Sequence, residues 1–475
     1  MINILKSNHN IKFYFLIAFL ILTGYSPTYL SSYAFSDDWF YLYASNTDPY
    51  SILKWDVLSG RPLYGCFHYL FSFLIDSVHS LIILRVFSLL SLITLGCYLY
   101  HFISKRQILE NDLQRFTFST MLCLLPSFQV FTAWSVCFPY VLAVIFSGLS
   151  YSHLTHHKAS FSRLLLSAIF ISASFAIYQP AGMSFLFFAM IDLCLSKRKT
   201  DRKIFLKTML MLCFGMLSAL LFAKVLPYQL YHDTLGRTNM TLALGKKLLW
   251  FIQEPLKNAI SNYDLGRTLL SVTLSIIIIG VGVAAMRKNG KDKPYLFIIF
   301  VFAAALPNLL VSESWAAYRT IVAVALITTS VFLFGLLMMF SKIKYPQIPY
   351  FIFILLTVFI SNKNIREGFS SPQQQEYKLI TSAILSAVPK EFTGNVYYKI
   401  DEDNLPRIAK STKYDEFGAL SLGMPWTFAG MAYSVKKEHA MNYAIAEAPV
   451  IGINNHCTEP CLIINASAVL NHGVK

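Results

Sequence analysis

The chain has 475 residues, of which 55% are hydrophobic and only 14% are charged. Its mean hydropathy of +0.52 is too high for a water-soluble globular protein of this length and indicates an integral membrane protein. The formal net charge of +15 is divided among loops between apolar stretches instead of forming one basic patch. Nucleic acid is therefore not expected as a partner.

Apolar stretches recur between residues 13 and 361, and a bilayer-spanning helix needs roughly 20 such residues. They predict about eleven transmembrane helices, over residues 13–33, 80–103, 116–132, 135–151, 164–179, 181–195, 208–226, 269–286, 295–311, 320–340 and 348–361. The first stretch lacks a small-x-small cleavage site, so we expect a retained helix and not a signal peptide. An odd number of crossings puts the two termini on opposite sides of the membrane.

Lysine and arginine concentrate in three loops and the N-terminus, whereas the alternating short loops carry few of them. The basic residues are Lys6, Lys12, Lys105, Arg106, Arg115, Lys197, Arg198, Lys199, Arg202, Lys203, Lys207, Arg287, Lys288, Lys291 and Lys293. The positive-inside rule places these segments in the cytoplasm and the C-terminus outside it. Counting the aromatic-rich segment Pro62–Val78 as a span would break this pattern, so we predict that it is interfacial or re-entrant.

The predicted fold is a polytopic α-helical membrane protein with a small C-terminal extracytoplasmic α/β domain. Residues 1–361 form the transmembrane catalytic domain, with outer loops at 34–79 and 227–268, and residues 362–475 form the C-terminal domain. The tail alternates a helical pattern with short strand-like runs and has no spanning segment. Cys457 and Cys461 lie in this tail, where a disulfide could persist, but their close spacing leaves the bridge open.

Asp37 and Asp38 follow the first helix, in the run Ser36-Asp37-Asp38-Trp39. Ser36 or Asp37 could simply cap a surface helix that begins near Trp39. Alternatively, one carboxylate acts as a general base while the other supports it or holds a cation. Two close carboxylates raise one pKa, which suits proton abstraction. Asp38 is at least as good a candidate for the base as Asp37.

Two arginines lie near the same predicted membrane surface. Arg61, in Gly60-Arg61-Pro62, could anchor the chain at the headgroups or hold a lipid phosphate with two parallel hydrogen bonds. Arg85 lies inside the second predicted helix, where a charge is costly and usually faces protein or a cavity. Its partner could be Asp76 or a carboxylate of the acidic loop.

Two short outer turns carry further candidates. Tyr178 and Gln179 precede Pro180, which suffices to explain a turn, but their side chains could also bind sugar hydroxyls. Glu313 and Arg319 could form an ordinary ion pair. Together with Trp315 they could also form a sugar or phosphate subsite, so Glu313 joins the catalytic candidates and Trp315 and Arg319 the binding candidates.

Several classes of site are not predicted. His153, His156 and His157 lie on a cytoplasmic loop without an accompanying acidic residue, which indicates a solvated loop and not a metal site. No Walker-type glycine loop, Gly-x-Ser-x-Gly elbow or His-Glu-x-x-His motif is present. No cofactor is indicated with certainty, and a divalent cation remains open.

The order of these motifs resembles the type II glucosyl transferase family, which comprises O-antigen serotype-converting glucosyltransferases of temperate bacteriophages. The resemblance rests on Ser36-Asp37-Asp38-Trp39, Gly60-Arg61-Pro62-Leu63, the Tyr178-Gln179 turn and the soluble extracytoplasmic tail. It covers the membrane part well and the tail only in general layout. Each motif is short, so its specificity comes from order and topology.

This resemblance implies a GT-C-like, inverting glycosyltransferase in the bacterial inner membrane. The implied donor is undecaprenyl phosphate glucose, made and flipped by a partner synthase and flippase, and the implied acceptor is a sugar of the periplasmic O-antigen of lipopolysaccharide. Asp37 or Asp38 would deprotonate the acceptor, and Arg61 together with Arg319 would hold the leaving phosphate. Apart from the resemblance, the sequence itself predicts a substrate site that also includes Trp39, Arg85, Tyr178, Gln179 and Trp315.

Other functions are compatible with the sequence. A transporter or flippase of a lipid-linked sugar should carry ionisable residues near mid-membrane, where Arg85 is almost the only clear case. A transferase of another polyprenyl-linked sugar would use the same chemistry. A membrane scaffold whose tail binds a partner would leave the acidic pair unexplained.

Overall fold

The computed structural model describes residues 8–156, 160–235, 241, 243–399, 415–450 and 459–472. The predictions made for Lys6, His157 and Cys457 lie outside these residues. Within them the chain is predominantly helical, with a three-stranded sheet near the C-terminus.

The first half of the described chain is helical at every stretch where a span is predicted. Its helices are α1 (Asn8–Gly24), α2 (Ser26–Leu30), α3 (Asp37–Thr47), α4 (Pro49–Leu58), α5 (Pro62–Ser72), α6 (Ile82–Arg106), α7 (Asp112–Cys123), α8 (Pro126–Ala133), α9 (Tyr140–Leu154), α10 (Phe161–Ile177), α11 (Gln179–Gly182) and α12 (Phe185–Met190). Proline opens α4, α5 and α8, because a residue at the first helical position needs no backbone N–H partner.

The second half continues in the same manner. Its helices are α13 (Arg202–Leu220), α14 (Leu226–Tyr231), α15 (Leu244–Gln253), α16 (Pro255–Ile260), α17 (Leu269–Asn289), α18 (Lys293–Ala304), α19 (Leu306–Leu310), α20 (Val322–Phe340), α21 (Gln347–Ile365), α22 (Ser371–Ala387), α23 (Thr427–Glu438) and α24 (Ala466–His472). A π-helical turn joins α21 to α22 without a break, so one continuous helix runs over Gln347–Ala387. The predicted domain boundary at residue 361 falls inside this helix.

The C-terminal sheet has three parallel strands in the order β2–β1–β3. They are β1 (Asn395–Lys399), β2 (Ala444–Val450) and β3 (Cys461–Asn465). Asn395 pairs with Ala444 on one side and with Cys461 on the other. The helix α23 precedes β2, as expected for parallel strands, which need a crossover connection.

Within the described residues, six helical segments are long and apolar enough to cross a membrane: Ile82–Arg106, Ser135–Leu154, Arg202–Tyr231, Leu269–Asn289, Val322–Phe340 and Gln347–Ala387. A seventh results if α7 and α8, which meet at an angle of 55°, form one broken span. The shorter apolar helices Ile11–Gly24, Phe161–Ile177, Gln179–Leu195 and Lys293–Ala304 are the remaining stretches for which the sequence predicts a crossing.

The spans differ in how far the protein surrounds them. In α20, 89% of the apolar window is buried, whereas in α17 only 17% is buried. The helix α20 therefore lies at the centre of the bundle and α17 at its rim, where its apolar side chains face outward. Such an outward apolar surface is what a lipid-facing helix requires.

The basic loops meet at one end of this bundle. The Nζ atom of Lys197 lies 3.0 Å from Oε1 of Glu110, and Nζ of Lys293 donates to the backbone oxygen of Arg198 at 3.0 Å. Arg106 pairs with Asp192 in the same region. The acidic pair and the C-terminal domain meet elsewhere, as described next.

Candidate functional site

Asp37 and Asp38 are the first two residues of α3, so the structure starts this helix slightly earlier than the capping interpretation assumes. The Ser36 side chain makes no cap hydrogen bond. Ser36 instead has a φ of 50°, which is uncommon outside glycine, and its N–H donates to Oγ of Ser421 at 2.9 Å. Such strained positions concentrate at functional sites because surrounding contacts must hold them.

Asp38 is fully buried and bound on all sides by the protein. Its carboxylate accepts backbone N–H bonds from Phe35 at 3.0 Å, Val136 at 2.9 Å and Ser135 at 3.4 Å. Burial raises the pKa of Asp38 to about 6, against the opposing effects of Arg85 and these N–H groups. Asp38 thus ties the start of α3 to the turn before α9.

Asp37 is only partly buried, in contrast to Asp38. Its Oδ1 accepts a hydrogen bond from the indole Nε1 of Trp426 at 2.9 Å and a weak one from Ser36 Oγ at 3.5 Å. No other hydrogen bond to this carboxylate occurs within the described parts of the chain. Of the two carboxylates, Asp37 is the one that an incoming substrate could reach.

Arg85 lies behind Asp38 and is fully buried. Its Nη1 donates to the backbone oxygen of Tyr33 at 2.9 Å, and its Cζ lies 3.9 Å from the centroid of the Tyr33 ring. The Nε and Nη2 atoms have no hydrogen-bond partner among the residues that the structure describes. Asp38 is the carboxylate that Arg85 influences, so of the two partners considered the structure favours the acidic loop over Asp76.

Arg61 lies against a pair of stacked tyrosines. The rings of Tyr140 and Tyr178 are parallel, 3.9 Å apart at their centroids. Arg61 donates from Nη1 to the Tyr140 hydroxyl at 3.3 Å, and its Cζ lies 5.0 Å from the Tyr178 centroid. Gln179 donates to the backbone oxygen of Gly60 at 2.9 Å. The structure therefore brings together the two motifs that contain Arg61, Tyr178 and Gln179.

Arg319 lies between two tryptophans. Its Cζ is 4.5 Å from the ring centroid of Trp134 and 5.1 Å from that of Trp315. Its Nη1 lies 3.5 Å from Oε1 of Glu416, a buried residue of the C-terminal domain. Arg319 thus pairs with Glu416 and not with Glu313.

These groups form one cluster around the start of α9. The Cys137 thiol lies within electrostatic range of Asp37, Asp38, Arg319 and Glu416. The Tyr178 hydroxyl lies within range of both Arg61 and Arg319. Two guanidinium groups therefore flank the same tyrosine stack, and Cys137 links Arg319 with the accessible carboxylate of Asp37. Such a pair of arginines suits a phosphate group.

Two residues of the predicted site, Trp39 and Glu313, make contacts other than those that the sequence predicts. Trp39 is 1% exposed, and its ring packs against that of Tyr377 at 5.0 Å, so it forms part of the core between α3 and α22. Glu313 is exposed, and its backbone oxygen accepts from Nζ of Lys247 at 2.6 Å. Within the described residues its carboxylate makes no ion pair with Arg319.

Sequence reasoning missed the contribution of the C-terminal domain. Trp426 contacts Asp37, and Glu416 contacts Arg319. Most of the chain lies between Asp37 and these two C-terminal residues. The adjacent acidic residues Asp415 and Glu416 repeat the signal that singled out Asp37 and Asp38, and could have identified this segment.

A second missed group lies behind Asp38. Nδ1 of His68 is 2.8 Å from Oδ2 of Asp56, and Nε2 is 2.8 Å from the backbone oxygen of Val136, whose N–H binds Asp38. Both partners of the His68 ring are acceptors, so the ring donates from both nitrogens when Asp56 is ionised. This buried pair supports the turn that holds Asp38.

A separate cleft with a volume of about 300 Å³ lies between the end of α2 and α22. Tyr33, Gln373, Tyr377 and Glu438 are among its lining residues, and Asp37, Arg61 and Arg319 are not. The cluster around Asp37 has the better chemistry for catalysis, because it combines an accessible carboxylate with two arginines. Among the residues that the structure describes, no three His, Cys, Asp or Glu side chains are arranged to hold a metal ion.

Comparison with known proteins adds no family assignment. No protein-family model matches the chain, and no curated protein matches it. The functional interpretation therefore depends on the residues described above and on their geometry.

Proposed function

We propose that this protein is a membrane glycosyltransferase of the GT-C type. It transfers a glucosyl group from undecaprenyl phosphate glucose to a sugar of the O-antigen of lipopolysaccharide, on the periplasmic side of the bacterial inner membrane, and so converts the serotype. The observation that carries the proposal is the cluster at the start of α9, beside the apolar helices. In it, the accessible carboxylate of Asp37 and the guanidinium of Arg319 both neighbour Cys137, and Arg319 and Arg61 both neighbour Tyr178.

Asp37 is the general base in this proposal. It accepts the proton of the acceptor hydroxyl while that oxygen attacks the anomeric carbon, and the bond between the anomeric carbon and the phosphate oxygen breaks with inversion. The electron pair leaves with the polyprenyl phosphate. A positioned base of this kind typically contributes about 10²- to 10⁴-fold to the rate. Asp38 positions the loop, because its oxygens are already occupied by backbone N–H groups.

Arg61 and Arg319 stabilise the leaving phosphate. Both guanidinium groups lie on aromatic rings, which hold them in place without neutralising their charge. Charge that develops on the phosphate oxygens then meets cations that need little rearrangement, which is an effective way to stabilise a transition state. The polyprenyl chain of the donor would lie in the surrounding bilayer, which explains why the site adjoins apolar helices.

The test compares wild type with Asp37→Asn in bacteria that supply the donor and an unmodified O-antigen. We expect added hexose, measured by mass spectrometry of the O-antigen, to fall at least about 100-fold in the variant at equal protein level. The matched control is Asp48→Asn, an exposed carboxylate at the other end of α3, which should behave as wild type. No hexose addition by the wild type, or undiminished addition by Asp37→Asn, would contradict the proposal.

A further inference from the structure

Glu416 is a buried carboxyl group with few hydrogen-bond donors among the described residues. Its side chain is 6% exposed, and within that part of the chain its own N–H and Arg319 are the donor groups that act on the carboxylate. Its ion-pair contact, Nη1 of Arg319 at 3.5 Å, is longer than a good charge-assisted hydrogen bond. A buried carboxylate normally has several donors, as Asp38 does, so the described residues stabilise the charge of Glu416 less than that of Asp38.

The groups around Glu416 oppose its ionisation more than they favour it. Asp415 lies directly beside it and has a φ of 56°, a conformation uncommon outside glycine, and its Oδ2 accepts from the Tyr318 N–H at 2.8 Å. Burial, followed by the neighbouring Asp415, raises the pKa of Glu416 well above its ordinary value, while Arg319 acts in the opposite direction. Three further titratable groups lie within electrostatic range of Glu416, namely Cys137, Tyr178 and Tyr318.

An anionic ligand at Arg319 would meet this carboxyl group. An ionised Glu416 would repel a phosphate that approaches the same guanidinium, whereas a neutral carboxylic acid has an O–H to donate. The phosphodiester of the donor proposed above has oxygens that accept such a bond. Nη1 of Arg319 and Oε1 of Glu416 lie 3.5 Å apart, a separation at which one acceptor oxygen can be within hydrogen-bonding distance of both.

We propose that Glu416 binds the donor phosphodiester as a neutral carboxylic acid, donating its O–H to a phosphate oxygen that Arg319 also contacts. This inference rests on the proposed function for the identity of the ligand. It assigns to the C-terminal domain a direct part in donor recognition. Each molecule of donor then binds together with one proton on Glu416, so affinity falls as the pH rises.

The experiment measures binding of undecaprenyl phosphate glucose to the full-length protein in lipid nanodiscs, without acceptor, between about pH 5 and about pH 9. This range covers the ordinary and the raised pKa values of buried carboxyls. The phosphodiester itself keeps a single charge across it, so any titration comes from the protein. For wild type we expect Kd to rise about tenfold per pH unit above the midpoint until the ionised form dominates binding.

Two variants and one control separate the explanations. Glu416→Gln has an amide N–H in place of the acid O–H and should bind with a Kd that no longer changes with pH. Asp415→Asn removes the neighbouring charge, keeps an acceptor for the Tyr318 N–H, and should move the midpoint to lower pH. Glu391→Gln alters an exposed carboxyl of the same domain and should follow the wild-type curve.

The possible results are distinct. The same pH dependence in Glu416→Gln as in wild type would overturn the proposal, and so would an unshifted midpoint in Asp415→Asn or no binding at any pH. Because the readout is binding without acceptor, failure here leaves the transfer test with Asp37→Asn unaffected. Conversely, a pH-dependent Kd without hexose transfer would support the phosphate site and reject the proposed reaction.

Discussion

At the scale of single residues, the acidic pair separates into two different roles. Asp37 and Asp38 are neighbours in sequence, but successive residues of a helix point in directions about 100° apart. The Asp38 carboxylate therefore points into the protein, and the Asp37 carboxylate points toward Trp426. The strained φ of Ser36 fits this arrangement, since the chain must turn sharply to bring both carboxylates to their positions.

Replacement of Asp38 tests its structural role. Asp38→Ala leaves the N–H groups of Phe35, Ser135 and Val136 without an acceptor, and each orphaned buried donor costs about 1–3 kcal/mol. Removing a buried charge offsets part of this loss. We expect a net destabilisation of about 2–4 kcal/mol, measured as a lower midpoint of thermal unfolding in detergent. Asp37→Ala should leave the midpoint nearly unchanged, and an equal drop in both variants would refute the division of roles.

At the scale of elements, the apolar pattern predicts where helices lie but not which helices touch. All eleven predicted stretches are helical, and Pro62–Val78 contains only the short α5, in keeping with an interfacial segment. Hydrophobic helices of similar length have similar sequence patterns, and these patterns do not show which helices are neighbours. The packing of Tyr140 on Tyr178 therefore could not be derived from periodicity. Contacts that depend on such packing remain invisible until the fold is known.

For the candidate site, too, the sequence identified several residues but not their contacts. Charged and aromatic residues beside apolar stretches identified Asp37, Arg61, Tyr178 and Arg319, because such residues are costly near a membrane without a purpose. The same criterion did not extend to Glu416, because in the polar C-terminal domain a carboxyl group is unremarkable by composition. Its role depends on a contact between distant segments, which only the fold reveals.

The contact between α23 and α3 fixes the C-terminal domain over the acidic pair. A Cβ atom on Gly430 would lie 2.1 Å from the backbone oxygen of Trp39, a distance that only a shift of one helix could relieve. Gly430→Ala should therefore destabilise the protein by about 1–3 kcal/mol. It should also reduce hexose transfer, because Trp426 would move away from Asp37.

The measurement combines thermal unfolding with limited proteolysis of the C-terminal domain. Gly245→Ala is the matched control, since Gly245 lies in α15 and no described residue comes within 4 Å of the new Cβ. Alanine there should stabilise the helix by about 0.5–1 kcal/mol. Equal stability and proteolysis of wild type and Gly430→Ala would show that this close approach does not hold the domain in place.

At the scale of the whole molecule, the contacts sort into two groups at opposite ends of the bundle. The basic loops contact one another through Lys197, Glu110 and Lys293. The acidic pair, Arg319 and the C-terminal domain contact one another at the site. The positive-inside rule predicts that the first group is cytoplasmic, and the site would then lie on the outer face. A donor delivered by a flippase would be available on that face.

This arrangement makes a prediction about α18, which is too short to count as a span by itself. Lys293, at the start of α18, contacts Arg198 in one of the basic loops. Arg319, which follows α19, contacts Glu416 at the site. The chain therefore passes from one end of the bundle to the other between these two residues. Together Lys293–Leu310 would extend about 27 Å as a helix, close to the roughly 30 Å of a bilayer core. We therefore expect α18 and α19 to cross the membrane as a single span.

Reporter fusions after residues 200 and 390 test this crossing. Four long apolar helices lie between the two points, namely Arg202–Tyr231, Leu269–Asn289, Val322–Phe340 and Gln347–Ala387. Four crossings would leave both reporters on the same side, whereas α18 as a fifth puts them on opposite sides. We expect an alkaline phosphatase fusion to be active only after residue 390 and a green fluorescent protein fusion to fluoresce only after residue 200. Activity of the same reporter at both positions would exclude the crossing by α18 and, with it, the outer location of Arg319.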